Sequence, residues 1–388
     1  MFKLNYCVLS IFFLFITVQC SYDRVEGERC ETEQGVGKCV HVFRCLSSIV
    51  DLKAKSHPKI CSFKRKEPII CCNDCELVND TRNAIVDTGG GVYFKSGRKA
   101  IDKCLEHLSY LPYPCQTRGL EKIWDDKKQC NYYEVKVYAV VHGGENAERS
   151  RYPHMALLGY GQEVDSAQWL CGGSLISDRF ILTAAHCIIE SAIGPVTFVA
   201  MGILKRSDPM KLWQIYKVRR IMQHPEYAPP SKYNDIALIE IDRPVQYSKD
   251  VFPACLDYEG QDQFNAQATG WGKLGKHQPL ADNLQTVTLQ KFSSEQCLKN
   301  YPPHRLLKQG YNSETQLCYG DLKEPKDTCE GDSGGPLQVT PRLSKCLYSI
   351  IGVTSYGRAC GYAGDAGMYT RVYHYVPWIE SVVWPGRQ

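Results

Sequence analysis

RFILTAAHC, residues 179–187, is the stretch from which the rest of the chain is read. Arg179-Phe180-Ile181-Leu182-Thr183 is a short run of strand-forming side chains, and it leads straight to a histidine, His186, with Cys187 next to it. A second run of the same kind, Ile236-Ala237-Leu238-Ile239-Glu240-Ile241, follows the aspartate of Tyr233-Asn234-Asp235. From Val141 onward such runs recur, divided by Gly, Pro and Asn. Short strands punctuated in this way predict an all-β barrel or sandwich. Only the last stretch, Tyr373 to Trp384, changes period: Val376, Ile379 and Val383 fall at helical spacing, which predicts a closing C-terminal helix.

Working outward, the chain of 388 residues suggests two or three domains and is long enough for a large buried core. Its 46 basic and 42 acidic residues leave a net charge of +4, a mixed surface that gives no reason to expect nucleic acid as a partner. The N-terminus carries Lys3, an apolar stretch from Cys7 to Val18, and Val18 and Cys20 at the minus-three and minus-one positions of a cut before Ser21. Residues 1–20 therefore read as a signal peptide. The apolar run is too short to serve as a membrane anchor. No later segment is apolar enough to span, so a secreted, soluble product is expected.

Of the 20 cysteines, Cys7 and Cys20 leave with the signal, and an even number remains. In an oxidising compartment this argues for disulfides and against zinc, Cys71-Cys72-Asn73-Asp74-Cys75 included, and no metal or cofactor is expected. Cys30, Cys39, Cys45, Cys61, Cys71 and Cys72 crowd into residues 30–72. A segment of about forty residues cannot bury much core and needs staples. Six cysteines can pair in about fifteen ways, and the sequence does not choose among them. Residues 73–140 read as a long connector. Asn79-Asp80-Thr81 is a glycosylation sequon, and Thr88-Gly89-Gly90-Gly91 is flexible. Ser96 to Leu111 predicts a helix with Ile101, Cys104, Leu105 and Leu108 on one apolar face, ended by Leu111-Pro112-Tyr113-Pro114. A connector with such a face is expected to be docked.

Three strings carry chemistry: Leu182-Thr183-Ala184-Ala185-His186-Cys187, Tyr233-Asn234-Asp235-Ile236-Ala237-Leu238 and Gly331-Asp332-Ser333-Gly334-Gly335-Pro336. Acyl transfer by a serine needs a base to take the hydroxyl proton and a carboxylate to hold that base in one tautomer. It also needs backbone N–H groups aimed at the developing oxyanion. Glycines around Ser333 let the backbone come close to a substrate. Taken singly, each residue has a bland structural reading. In this order and these surroundings they point together to nucleophilic catalysis.

On these motifs, AAHC, NDIAL and GDSGGP, residues 141–388 resemble the chymotrypsin family of serine proteases. The resemblance implies two six-stranded antiparallel β-barrels with the site in the cleft between them. It implies His186 as general base and acid, Asp235 as its orienter, Ser333 as nucleophile, and the N–H groups of Gly331 and Ser333 as the oxyanion hole. It places Asp327 on the floor of the primary substrate pocket, Ser355-Tyr356-Gly357 on its edge and Gly367 on its opposite wall. A carboxylate at that floor selects Arg or Lys.

The six-cysteine segment, the connector and such a protease together resemble the arthropod clip-domain serine proteases, extracellular enzymes of haemolymph cascades leading to Toll signalling or melanisation. The resemblance implies a clip domain at 30–72, paired Cys30–Cys71, Cys39–Cys61 and Cys45–Cys72. In the protease domain it implies Cys171–Cys187, Cys297–Cys318 and Cys329–Cys360. It gives Cys130–Cys255 as the tether of the light chain (73–140) after activation, and Cys104–Cys346 as a second tether. Cys75 and Cys115 are then left for each other.

In this family a new α-amino group pairs with the aspartate beside the nucleophile, here Asp332. Alignment on Tyr152-Pro153-His154-Met155 puts that new terminus at Val141, so the cut follows Val140. Arg or Lys does not stand there, and an apolar residue leaves a pocket carboxylate unpaired. The zymogen is therefore expected not to activate itself but to await an activator of apolar specificity, a junction similar to that of the Snake- and Persephone-like subgroup. A downstream protease zymogen is the expected substrate, a serpin the expected inhibitor, and no membrane partner is expected. Two other readings remain: a non-catalytic clip-domain cofactor, against which stands the intact set His186, Asp235 and Ser333, and a digestive trypsin, which needs neither the six-cysteine module nor the connector.

Overall fold

The computed structural model describes residues 10–12, 15–17, 24–32, 35–53, 57–74, 77, 84–86, 92–94, 96–111, 121–123, 131–133, 145–190, 192–260, 262–275, 278–323, 330–340, 347–357 and 364–386. They fall into two compact units, one within Met1–Lys95 and Thr117–Val137, the other within Ser96–Gln116 and Tyr138–Gln388. Among the described residues no helix is long and apolar enough to cross a membrane. Within the expected signal peptide, Ser10–Phe12 pairs antiparallel with Phe15–Thr17.

The first unit is built on a four-stranded antiparallel sheet: β1 (Arg29–Thr32), β2 (Gly35–His41), β3 (Ile60–Lys64) and β4 (Glu67–Cys72), in the order β1-β2-β4-β3. A 3-10 turn (Val42–Arg44) and a helix, α1 (Leu46–Lys53), follow β2. The apolar core is small, with Val40, Val42, Ile69 and Ile70 its main buried aliphatic side chains. Disulfides do the rest: Cys30–Cys71, Cys39–Cys61 and Cys45–Cys72 cross the sheet and tie α1's start to β4. Each bridge in a domain of this size contributes about 2–5 kcal/mol.

The second unit holds two closed barrels. The first comprises β5 (Met155–Tyr160), β6 (Gln168–Leu175), β7 (Phe180–Thr183), β8 (Gly194–Met201), β9 (Gln214–Gln223) and β10 (Ala237–Ile241). They pair in the order β5-β6-β7-β10-β9-β8 and close through β8 on β5. The second comprises β11 (Asn265–Gly270), β12 (Gln285–Lys291), β13 (Gln316–Gly320), β14 (Pro336–Val339), β15 (Ser349–Tyr356) and β16 (Ala366–Arg371). Their order is β12-β11-β14-β15-β16-β13, closed through β13 on β12. Of the two architectures the sequence left open, barrel and sandwich, the chain forms barrels, six strands in each ring. Closure removes every free edge, which is how short strands escape edge-to-edge pairing. The two opening strings lie side by side: β7 pairs β10 with Ile181 opposite Ile239 and Leu182 opposite Leu238, all fully buried.

In the chain, α3 (Ser294–Asn300) follows β12 and precedes β13, started by a capping box of Ser293 and Gln296. The chain closes with α4 (Val372–Val383), one residue earlier at each end than the expected helix. Val376, Ile379 and Val383 are buried as their spacing predicts, in one cluster with Leu182, Leu238 and Ile239 of the first barrel.

The connector helix, α2 (Lys99–Ser109), is shorter than the expected span and belongs to the same unit as the barrels. Arg98 at its N-cap gives no side-chain cap; instead Glu380 of α4 accepts from Ala100 N at 2.6 Å. Lys99 returns the favour, donating Nζ to the Trp384 carbonyl at the end of α4 at 2.7 Å. An acid at a helix start and a base at a helix end each complement the macrodipole and the orphan backbone groups there. Cys104, Leu105 and Leu108 are buried on the docked face. Burial also lowers the pKa of His107 to about 4, so the ring stays neutral against Tyr247 and Phe252.

Here the structure corrects two expected bridges. Cys104 is bonded to Cys255, with Cα atoms 5.0 Å apart, so neither Cys130–Cys255 nor Cys104–Cys346 forms. The reason is the packing of α2: its buried face lies on the two-residue strand Cys255–Leu256, which puts the two Cβ atoms within bridging range. Cys130 and Cys346 lie outside the described residues, as do Cys75, Cys115, Cys329, Cys360 and Asn79. Cys171–Cys187 and Cys297–Cys318 are both formed.

Because Leu108 is 0 % exposed in the seam beneath α2, Leu108→Ala is expected to destabilise the barrel unit by about 2–5 kcal/mol. The drop is to be read as a lower urea midpoint. An unchanged midpoint would mean that α2 lies on the barrels without supporting them.

Candidate active site

Asp235 is the most deeply placed charged group of the site, 1 % exposed at the start of β10. Asn234 before it takes a left-handed conformation (φ 56°), which turns the chain inward. That turn is held by the Asn234 side chain, which donates Nδ2–H to the Glu226 carbonyl at 3.2 Å and accepts from Tyr375 OH of α4 at 2.7 Å. Asn is one of the few residues that adopts this conformation at low cost.

Three donors converge on the carboxylate. His186 donates its backbone N–H to Oδ1 at 2.9 Å, and its Nδ1 lies 2.8 Å from Oδ2. Ser355 Oγ donates to Oδ2 at 2.5 Å. Burial pushes the Asp235 pKa upward, but the His186 ring, the Ser355 hydroxyl and the His186 N–H outweigh it and hold the carboxyl below its ordinary value. An ionised Asp235 makes Nδ1 the protonated nitrogen of His186, which leaves the Nε2 lone pair to accept a proton. From β16, Thr370 Oγ1 also donates to the Asp235 carbonyl at 2.8 Å.

Ser333 sits half-buried on a tight loop between Glu330 and Pro336. Gly172 N of β6 donates to the Ser333 carbonyl at 2.8 Å, and Gly334 N donates to the Thr354 carbonyl at 2.8 Å. The loop is thus pinned to both barrels. Gly334 has φ 76°, and a Cβ there would stand 2.2 Å from Thr183 Oγ1, so only glycine fits. This contact sets the serine loop against Thr183–Ala184, two residues from His186. The Cys171–Cys187 bridge ties β6, the strand whose Gly172 N–H holds the Ser333 carbonyl, to the residue after His186. Gly331, at φ 98°, lies against Gly272 and Leu280. Asp332 turns away from the serine, and its Oδ1 accepts from Gly272 N at 2.8 Å.

The structure therefore brings His186 and Asp235 into direct contact and places the Ser333 loop beside them. Ser355, read from sequence as a pocket-edge residue, is buried and bonded to Asp235. Its role and that of Thr370 were not visible in the chain, because nothing local marks a serine or threonine as the partner of a carboxylate far upstream. Gly357 is exposed just after β15, and Gly367 lies on β16 opposite Tyr319. Asp327, Val140 and Val141 lie outside the described residues. A carboxylate-held imidazole beside a serine on a glycine loop can perform acyl transfer through a covalent intermediate.

A model of the trypsin family matches residues 141–379. Among characterised proteins the chain is similar to the serine protease snk of Drosophila melanogaster, 31% identical over 356 residues that cover 89% of this chain and 76% of the relative. It is similar to the CLIP domain-containing serine protease C9 of Anopheles gambiae, 29% identical over 92% of this chain and 86% of the relative. It is also similar to phenoloxidase-activating factor 3 of Holotrichia diomphalia, 35% identical over 63% of this chain and 72% of the relative.

Removal of the Ser355 hydroxyl tests the electrostatics. Ser355→Ala leaves a buried carboxylate one donor short and is expected to cost about 1.5–3 kcal/mol in a denaturant titration. The depressed Asp235 pKa contributes stability above the unfolded carboxylate value, lost as pH falls through the folded value. Loss of the hydroxyl raises that folded value, so acid unfolding of Ser355→Ala should begin at higher pH than in the parent.

Proposed function

The chain belongs to the trypsin family and, within it, to the arthropod clip-domain serine proteases; on that premise we propose a secreted endopeptidase zymogen, activated by cleavage after Val140, that cuts after Arg or Lys in a downstream protease zymogen. The observation that carries the reading is the His186–Asp235 pair, with Nδ1 and Oδ2 2.8 Å apart, against a serine loop pinned to both barrels. Ser333 Oγ attacks the scissile carbonyl while His186 Nε2 takes its proton. Asp235 steadies the imidazolium that results. The oxyanion is received by the N–H groups of Gly331 and Ser333. As the tetrahedral adduct collapses, His186 returns the proton to the leaving amine. Water then repeats the sequence on the acyl-enzyme.

The basic specificity rests on Asp327 as the pocket floor, and the switch on the Val141 amino group pairing with Asp332. The free α-amino pKa of about 7.7–8.0 rises beside a carboxylate, so the terminus is charged at neutral pH. With Val140 before the cut, an enzyme of basic specificity is a poor activator of its own zymogen. This supports an upstream activator with apolar preference and a place in the middle of a cascade. That one relative is named a phenoloxidase-activating factor fits the same picture.

Purified zymogen treated with an elastase-like protease is expected to give a heavy chain beginning Val141-His142-Gly143-Gly144 and to hydrolyse an Arg ester. Trypsin, cutting at Lys136, leaves four extra residues in front and should give little activity. Ser333→Ala should be cut identically yet lose at least ~10⁴-fold in kcat. Arg-ester activity arising only after trypsin, at another terminus, would refute the Val140 junction.

A further inference from the structure

The loop after β8, residues 203–208, grips residues 271 and 282–284. The Leu204 carbonyl accepts from Trp271 Nε1 at 3.1 Å and from Leu284 N at 2.8 Å. Arg206 N donates to the Asp282 carbonyl at 2.8 Å. The Asp282 carboxylate accepts from Ser207 N and from Ser207 Oγ, each at 2.8 Å. Residues 272 and 273 lie on the nucleophile loop. Gly272 N donates to Asp332 Oδ1, and Lys273 N donates to the Glu330 carbonyl, both at 2.8 Å. A Cβ on Gly272 would stand 2.4 Å from the Asp332 carboxylate, so bare backbone is pressed against it. The gripping loop also touches β6 of the first barrel. Arg206 Nη2 donates to the Trp169 carbonyl at 2.9 Å, on β6, the strand whose Gly172 N–H holds Ser333.

The geometry points to Asp282 as a positioning residue for catalysis: its clasp on Ser207 fixes Trp271 and Gly272, and through them the Asp332 beside the nucleophile. Asp282 itself is exposed and touches none of the reacting groups. Two directed bonds to a carboxylate hold residues 282–284 in one place. That fixed stretch presents the Gly272 N–H to Asp332 at a constant angle. Gly331 and Ser333 flank Asp332 in the chain, so a loosened Asp332 disturbs both oxyanion donors. Oxyanion donors act chiefly in the transition state, so the loss should fall on kcat and not on KM.

The inference rests on the proposed function, and the test separates the two. Activated full-length Asp282→Ala is expected to lose about threefold to tenfold in kcat for an Arg ester, with KM within about twofold of the parent. Asp282→Asn keeps an acceptor for Ser207 N and should retain more than about half of kcat. Backbone amide exchange of residues 330–334 should quicken in Asp282→Ala. If that variant does not fold, Ser207→Ala, which removes one bond only, is measured in its place. Unchanged kcat, a rise in KM alone, or unchanged exchange at 330–334 would each overturn the positioning role. A parent enzyme that neither hydrolyses the ester nor is labelled at Ser333 by a fluorophosphonate would sink the proposed function instead, and the exchange data would still decide the clasp.

Discussion

A carboxylate that must stay ionised while almost fully buried is the constraint on which the rest of the barrel unit depends. Removing one partner of a buried charge pair costs about 3–5 kcal/mol, because the charge left behind has no water to turn to. Asp235 meets that condition only because the partners of its carboxylate arrive from distant parts of the chain, His186 from the turn after β7 and Ser355 from β15, while Thr370 of β16 holds its backbone carbonyl. Of the carboxylate's two partner residues, one belongs to the first barrel and one to the second. Neither barrel alone could satisfy the group, so the charge at the centre of the site also locks the barrels together.

The same logic of mutual completion governs the two terminal helices. α4 anchors Asn234, and so the turn that points Asp235 inward. α2 in turn lies on α4, each supplying the charge the other's end lacks. A segment that precedes Val141 in the chain is thus part of the barrel unit in both a packing and a covalent sense, through Cys104–Cys255. A cut in the backbone between α2 and the barrels would leave this seam in place, since Lys99–Trp384, Ala100–Glu380 and Cys104–Cys255 each join the two sides of it.

How much could be read from the chain follows from where each constraint is local. His186, Asp235 and Ser333 are legible because each sits in a string whose neighbours serve the same task. The strand before His186 and Gly334 after Ser333 exist for the contact between Thr183 and the serine loop. The barrel strands and α4 are legible because burial imposes a period on successive residues. Ser355 is not, since its task is set by a carboxylate of the other barrel. The partner of Cys104 is not either: periodicity gives the face of α2 on which it lies, but not the strand that face meets. The Asp282 clasp is silent for the same reason, as an exposed Asp and Ser have no local signature.

The site is therefore built from two kinds of support. The His186–Asp235 side rests on buried side chains, Ser355 of the second barrel among them, on a disulfide and on α4. The Asp332 side rests on backbone contacts of residues 272 and 273, and the stretch 278–284 is held through Asp282 by hydrogen bonds at the surface. Surface hydrogen bonds compete with water, while buried ones do not. If Asp332 is the switch proposed above, it acts on the half of the site that is cheaper to move.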